Sequence, residues 1–449
     1  MEHKAIDCSL KSILNVTIPM VLSVMSVNLM YVMDKVMLAG YSIDAMNAVA
    51  LSSSFVMIFT YTFIGMSDTA EIFVGQYNGA KNYEQLASPA WQMIYLSLLS
   101  NIIFVPIAYF SDHINTLPPY YFKEGIEYQK ILMYFGMIPA AKVALSAFFV
   151  GQGKTKIISI SVAIGTLTNF ALDYFLIYGV GNVIPAMGGR GAAIATVIAE
   201  LLQVIILASL FFGKNNREIY KTLENCKFNW KLFLSCLKIG TPMALGNSLA
   251  LVAWYILQTI MSYVSKDVAT IYNIGLNVYI FFIFVGEGIN KATATICSNM
   301  IGRGDLESIE KTRKIFVAIS LFFGFLVAIP LVCFPEWVMI ALDMLPDNVS
   351  MLYSDIKTVF YLVTVAVVLE TIMLSTWGIL MAGGDTKYTT IVYQVCLWTL
   401  IILPTIVLYC FHALNSVPVV YGFMVAWLIA TQFFIYQRYK SLKWYNKLV

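Results

Sequence analysis

Charged residues are scarce in this chain of 449 residues, at 12% compared with roughly 25% in ordinary soluble domains. The chain has only three histidines, and its seven cysteines show no C-x-x-C spacing, so neither residue type predicts a metal centre. Because an odd number of cysteines cannot all pair, we expect free thiols packed as small hydrophobic side chains. The net charge of +3 is too balanced to favour nucleic-acid binding.

Apolar residues dominate instead, at 59% of the chain with a mean hydropathy of +0.77. This composition excludes a soluble enzyme and predicts an all-α membrane protein that crosses the bilayer many times. Twelve apolar runs are long enough to span a membrane, and we expect twelve transmembrane helices. The runs cover 13–38, 45–75, 89–110, 131–150, 157–180, 190–212, 236–262, 268–300, 313–334, 357–381, 388–410 and 416–438.

The loops between these runs differ in positive charge. When alternate loops are assigned to alternate sides of the membrane, twenty Lys and Arg residues fall on the side of the termini and five on the other. By the positive-inside rule, both termini are expected to be cytoplasmic, in a multi-pass protein of the plasma membrane. Lys11 precedes the first run and no small-residue cleavage site follows, so we expect a retained helix rather than a signal peptide.

The two halves of the chain resemble each other. The polar stretch 213–231 predicts a cytoplasmic linker between an N-terminal lobe, 1–212, and a C-terminal lobe, 232–449. An offset of 223 residues superposes Pro19 on Pro242, and an offset of 231 places Gly153-Lys-Thr-Lys beside Gly384-Asp-Thr-Lys. Each lobe then holds six helices and enters and leaves the membrane on the same side. This predicts two six-helix bundles related by a pseudo-twofold axis along the membrane normal, as in parallel-repeat transporters.

Several short motifs in both halves resemble those of the MATE (multidrug and toxic compound extrusion) family. The resemblance covers nearly the whole chain and depends on the order and spacing of the motifs. They are Ile18-Pro19, Met33-Asp34, Gly40, Gly75-Gln76, Gly79-Ala80, Gln152-Gly153-Lys154-Thr155, Asn169-Phe-Ala-Leu-Asp173, Gly188-Gly-Arg-Gly191-Ala192-Ala193 and Gly383-Gly384-Asp385-Thr386. The resemblance implies export of organic, often cationic and amphipathic compounds, driven by inward flow of protons or sodium ions.

The acidic residues inside the spans are the main candidate site residues, because an ionised carboxylate in the bilayer needs a partner, water or a proton. Asn169 and Asp173 share one face of the fifth span, since they are four residues apart. The resemblance implies that Asp34, Asn169 and Asp173 surround a cation or proton site, and that Thr196 completes it. Two carboxylates in one site repel each other, so a proton and Na⁺ would compete for the same oxygens.

Other polar residues inside the spans are candidates for a cavity or for a second site. Glu200 is deep in the sixth span, and Glu370 has no opposite charge nearby in sequence. Glu287 stands four residues before Lys291, a spacing that also fits an internal ion pair. The remaining candidates are Gln258, Asn273 and Asn277, of which the asparagines could equally bridge helices. Some family members have an acidic residue in the seventh span where this chain offers only Gln258, so a sodium site in the C-terminal lobe is not expected.

Two alternatives to an ion-coupled exporter can be compared with the sequence. A flippase for lipid-linked saccharides, from the same superfamily, would usually line its cavity with several Arg and Lys, whereas only three Lys lie well inside the predicted spans. An intramembrane enzyme would need a nucleophile with its base or a set of metal ligands, and neither is visible; no Walker A sequence occurs either. We therefore expect a transporter and not an enzyme. It would need no cofactor beyond the coupling ion, no nucleic acid and no obligate protein partner, and would act as a monomer surrounded by membrane lipid.

Overall fold

The computed structural model describes residues 7–113, 122–181, 183–341, 349–414 and 416–449. Within these ranges regular structure is helical, apart from an isolated bridge between Val180 and Ile184. Within the described ranges, eleven helices are long and apolar enough to cross a membrane, and one bent pair of helices makes a twelfth when it is counted as one span. The prediction of an all-α membrane protein with twelve spans is confirmed.

The twelve spans are numbered α1 to α12 in chain order. Their bounds are α1 Leu10–Tyr41, α2 Ile43–Gly79, α3 Tyr83–Phe110, α4 Lys123–Tyr134 with Met137–Val150, α5 Thr155–Tyr178, α6 Gly189–Phe211, α7 Trp230–Val264, α8 Lys266–Arg303, α9 Leu306–Cys333, α10 Leu352–Ala382, α11 Thr386–Cys410 and α12 Val417–Lys440. Each span overlaps one predicted apolar run, and most extend a few residues further because polar turns at the helix ends lower the local hydropathy.

Span α4 is bent by 43° between its two helices. Gly136 lies at the bend, where a Cβ atom would come within 2.5 Å of the Phe104 ring on α3. The absence of a side chain therefore lets the chain turn against this ring. The predicted run began only at residue 131, because the first helix carries Lys123, Glu124 and other charges that hide it from a hydropathy window.

The helices pack into two compact units. Unit 1 contains Ile18–Leu245 and Leu448–Val449, and unit 2 contains Gly246–Lys447 together with residues 7–17. The divisions fall inside α1 and α7, so the units follow packing, whereas the lobes of the sequence analysis follow the connections between spans. The lobe boundaries 1–212 and 232–449 remain a prediction about those connections, and residues 1–6 lie outside the described part.

The predicted linker, 213–231, is folded onto unit 1. Trp91 Nε1 donates to the carbonyl oxygen of Thr222 at 2.7 Å, and Gln92 exchanges hydrogen bonds with the backbone of Lys227 and Asn229 at 3.2 and 3.0 Å. Tyr220 is 1% exposed in an aromatic cluster of this unit. These contacts satisfy backbone groups that a loose connection would leave to water.

The turns aligned by the internal repeat have the same local geometry in both halves. Gly153 and Gly384 have φ of 74° and 78°, and each amide donates to the carbonyl three residues earlier at 2.7 Å. The amide of the following residue, Lys154 or Asp385, donates five residues back at 3.0 Å in both turns. A residue with a side chain is disfavoured at such positive φ, so the glycine is required by the turn.

Candidate functional site

Hydroxyl groups hold α1 beside α5 within unit 1. Ser159 Oγ donates to the carbonyl of Pro19 at 2.6 Å, and Tyr178 OH donates to the carbonyl of Met37 at 2.7 Å. The two contacts lie near opposite ends of α5 and join residues 140 and 141 positions apart. Because the two separations differ by only one residue, the helices run in the same direction with nearly one register, which brings Asp34 opposite Asp173.

Three residues of the predicted ion site lie close together at this point. Asp34, Asn169 and Asp173 are 6%, 1% and 0% exposed. The Asp173 side chain lies within reach of both the Asp34 carboxyl and the Asn169 amide. Two carboxyl groups from different helices therefore share one buried place, as the resemblance implied, and Asn169 stands one helical turn before Asp173.

Most polar atoms of this cluster lack a hydrogen bond of ordinary geometry from the described residues. They are Asp34 Oδ1, Asp173 Oδ1, Asp173 Oδ2, Asn169 Oδ1 and Asn169 Nδ2. Buried acceptors without a donor are costly, so the cluster is suited to binding something that supplies positive charge. Its oxygen atoms fit a proton or a hard cation such as Na⁺. In the described part of the chain, no group of three or more His, Cys, Asp or Glu residues could hold a metal ion.

Thr196 lies on the wall of a neighbouring cavity in unit 1. Its hydroxyl donates within its own helix, to the carbonyl of Ala192 at 3.0 Å, and the side chain is 6% exposed. Among the described residues, no hydrogen bond joins the Thr196 hydroxyl to the carboxyl group of Asp34 or Asp173. Its part in completing the ion site stays a prediction.

The cavity beside Thr196 is open on one side and leaves about 50 Å³ for the centres of water-sized molecules. Its polar lining comes largely from tyrosine, serine and threonine side chains, and Glu200 is its acidic group. The full lining is Tyr31, Ser53, Val56, Met57, Thr60, Tyr61, Ile64, Tyr128, Leu132, Phe135, Ile138, Pro139, Thr196, Val197 and Glu200. The space is larger than a bare ion needs, and most of its lining is aromatic, aliphatic or hydroxyl-bearing.

Two tyrosines connect the cavity with the ion cluster. Tyr31 and Tyr128 each lie within electrostatic reach of both Asp34 and Glu200. Sequence reasoning missed both residues, although Tyr31 stands three residues before Asp34 and so shares its side of α1. The cavity and the cluster are therefore neighbouring parts of one site.

Glu200 faces a basic partner that the sequence analysis did not identify. Lys142 Nζ on α4 donates to Glu200 Oε1 at 2.9 Å, and the two side chains are 15% and 11% exposed. The Glu200 carboxylate is thus neutralised by an ion pair between two membrane spans. The partners are 58 residues apart, so no local spacing indicates the pair.

In unit 2, Glu370 is 6% exposed and accepts a hydrogen bond from Tyr279 OH. Glu370 and Glu287 both lie within electrostatic reach of Tyr393. Of the other candidates, Gln258 and Asn277 are exposed and Asn273 is half-buried. Among the described residues, the two glutamates thus lie near one tyrosine, whereas Gln258, Asn273 and Asn277 are not part of a buried polar cluster.

Twelve apolar spans, two halves with matching turns and buried carboxyl groups inside the spans define a multi-pass membrane protein of the transporter type. The family model described as MatE matches residues 19–175 and again 242–407, so the chain belongs to the MatE family of MATE transporters. The two matches begin 223 residues apart, which is the offset of the internal repeat.

Known relatives cover much of the chain at low identity. The probable multidrug resistance protein NorM of Thermotoga maritima is 26% identical over 307 residues, which is 68% of this chain and 66%, just under two thirds, of that protein. The multidrug resistance protein MdtK of Yersinia pseudotuberculosis is 22% identical over 348 residues, 76% of each chain. A crystal structure of MATE in complex with MaL6 superposes with a TM-score of 0.86 over 97% of each chain at 18% identity, which shows a common fold.

Proposed function

We propose that this protein is a secondary antiporter that exports small organic, cationic and amphipathic compounds in exchange for H⁺ or Na⁺ by alternating access. The observation that carries the proposal is the buried cluster of Asp34, Asn169 and Asp173, whose oxygen atoms have few partners. The names of the relatives, multidrug resistance proteins, support the same substrate class.

The coupling ion would be held by the two carboxyl groups and the Asn169 amide oxygen. Mutual repulsion disfavours the state in which Asp34 and Asp173 are both ionised and unoccupied, so the cluster favours one bound positive charge. A membrane potential of 100 mV supplies about 2.3 kcal/mol for each charge that moves inward. Because Tyr31 and Tyr128 face both the cluster and the cavity, binding of the ion changes the electrostatic field where an organic cation would lie.

The proposal is tested by energised uptake of ethidium into inside-out vesicles, with a pH gradient and a sodium gradient imposed separately. Uptake should follow one gradient and fall to the level of empty vesicles in Asp34→Asn and in Asp173→Asn, because an amide cannot exchange a charge. Asp112→Asn is the matched control, since Asp112 pairs with Lys130 at an exposed position. Exposed pairs contribute little, so this variant should keep the wild-type uptake.

Uptake that persists in both cluster variants would refute the assignment of the coupling site. Absence of uptake under either gradient in properly inserted wild-type protein would instead refute ethidium-type export and favour lipid-linked saccharides, the second substrate class considered from the sequence.

The proposed topology has both termini in the cytoplasm, with the protein in the plasma membrane as a monomer. Its support is the excess of Lys and Arg in alternate loops, twenty on one side and five on the other. Protease protection of a tag fused after Val449 in inside-out vesicles tests it. The tag should be cleaved there and protected in intact cells.

A further inference from the structure

The ion pair between Lys142 and Glu200 is unusual for its position. It joins α4 to α6 within the spans, and both side chains are largely buried. Removing two charges from water costs more than a buried pair often returns, so stability alone is weak grounds for keeping it. An ionisable residue inside a membrane span is therefore first considered as part of a functional site.

The pair lies at the cavity of unit 1. Glu200 lines the cavity, as do Ile138 and Pro139, which stand one turn before Lys142 on the same side of α4. The remaining lining is aromatic, aliphatic and hydroxyl-bearing. The cavity thus offers an anion with a cation held 2.9 Å from it, beside aromatic rings on which a flat molecule can stack.

We infer that Lys142 determines specificity, and gives this cavity a preference for amphipathic zwitterions over plain organic cations. The inference rests on the proposed export of organic cations and narrows their class. A plain cation that approaches Glu200 competes with Lys142 and leaves the displaced ammonium group buried without a partner. A zwitterion places its cation against Glu200 and its carboxylate against Lys142, so one buried ion pair is exchanged for two.

The test compares two fluorescent ligands that differ at one group. Rhodamine B carries a free carboxylate and a cationic xanthene ring, whereas its ethyl ester is a plain cation of nearly the same shape. Binding of each dye to the purified full-length protein in detergent is measured by fluorescence anisotropy. Wild-type protein should bind rhodamine B more tightly than the ester. In Lys142→Met the ratio of the two dissociation constants should fall by about tenfold or more, which corresponds to the free energy of one charge-assisted hydrogen bond.

Two further variants separate recognition from packing. Lys142→Arg keeps a cation at the same place and should keep the preference for rhodamine B. Lys130→Met is the matched control, because Lys130 belongs to the same span but pairs with exposed Asp112, and its removal should leave the ratio unchanged. If Lys142→Met does not fold, the double variant Lys142→Met with Glu200→Gln leaves no unpaired charge and should likewise lose the preference.

Three results would overturn the inference. The first is equal binding of the two dyes by the wild type, or binding of neither. The second is an unchanged ratio in folded Lys142→Met. The third is an equal loss of both dyes, which would make the pair a clamp between helices. Because binding in detergent needs no ion gradient, failure of the inference is distinguishable from failure of the proposed antiport, which the vesicle assay decides.

Discussion

The start of α6 packs against the end of α5 at Gly191. A Cβ atom at this position would lie 2.6 Å from both the carbonyl carbon and the oxygen of Leu176, and 3.0 Å from the amide nitrogen of Ile177. These are backbone atoms, so no rotation of a side chain can relieve the contact. The Gly191→Ala substitution must therefore move the two helices apart.

The size of the effect follows from these distances. Real Cβ atoms essentially never approach within 3.0 Å, so the backbones must separate by roughly half an ångström. Overpacking of this kind costs about 1–3 kcal/mol, and the better helix propensity of alanine offsets up to about 1 kcal/mol. We expect the Gly191→Ala substitution to lower the free energy of unfolding by a net amount of about 1–2 kcal/mol. Export should fall as well, because α6 carries Thr196 and Glu200, and α5 carries Asp173.

Thermal unfolding of the purified protein in detergent measures the loss, with Gly422→Ala as the matched control. Gly422 lies inside α12, and a Cβ there would meet nothing within 4 Å, so alanine should be neutral or stabilising by up to about 1 kcal/mol. The midpoint of Gly191→Ala should lie clearly below that of Gly422→Ala. Equal midpoints would refute the close approach of the α5 and α6 backbones.

Two further predictions concern helix ends. Gly384→Ala should destabilise the protein by about 1–2 kcal/mol, because alanine is strained at a φ of 78°; a midpoint equal to that of Gly422→Ala would contradict the strain. Asp305 caps α9, and its hydrogen bonds with Ser308 hold the pKa of this carboxyl below its usual range. Because folding lowers the pKa of Asp305, the cap stabilises the protein fully at pH values above the pKa of the unfolded state. This stabilisation is lost as the pH falls through the pKa of the folded state. Asp305→Ala should lower the free energy of unfolding by about 0.5–2 kcal/mol at pH 7 and by less at pH 3. A stability difference between variant and wild type that is the same at both pH values would contradict this.

The spans were predictable because hydropathy depends on composition over some twenty residues, which a sequence displays directly. The first helix of α4 was not predictable in this way, because Lys123 and Glu124 give it the composition of a loop. Its helical form depends on packing in unit 1, where buried Tyr128 and Gln129 face neighbouring helices. Local composition cannot show such a partner.

The ion cluster was predictable in part. The shared face of Asn169 and Asp173 follows from a spacing of four, whereas the approach of Asp34 depends on the register of α1 against α5. That register is set by hydroxyl contacts with backbone carbonyls about 140 positions away, and every span has at least one serine or threonine that could make such a contact. The Lys142–Glu200 pair was missed for the same reason, because each residue alone resembles an isolated charge in an apolar run.

The matching turns at Gly153 and Gly384 bear on how the chain came to have two halves. A doubled ancestral segment would inherit the same backbone twice, and the positive φ would then resist substitution of either glycine. The residue after the glycine had no such restriction, and it is Lys154 in one half and Asp385 in the other. Lys154 lies over the ring of Tyr220 in the segment between the halves, whereas Asp385 accepts two hydrogen bonds from Arg438 on α12. The two turns thus share one backbone shape, while each presents a different charge to a different neighbour.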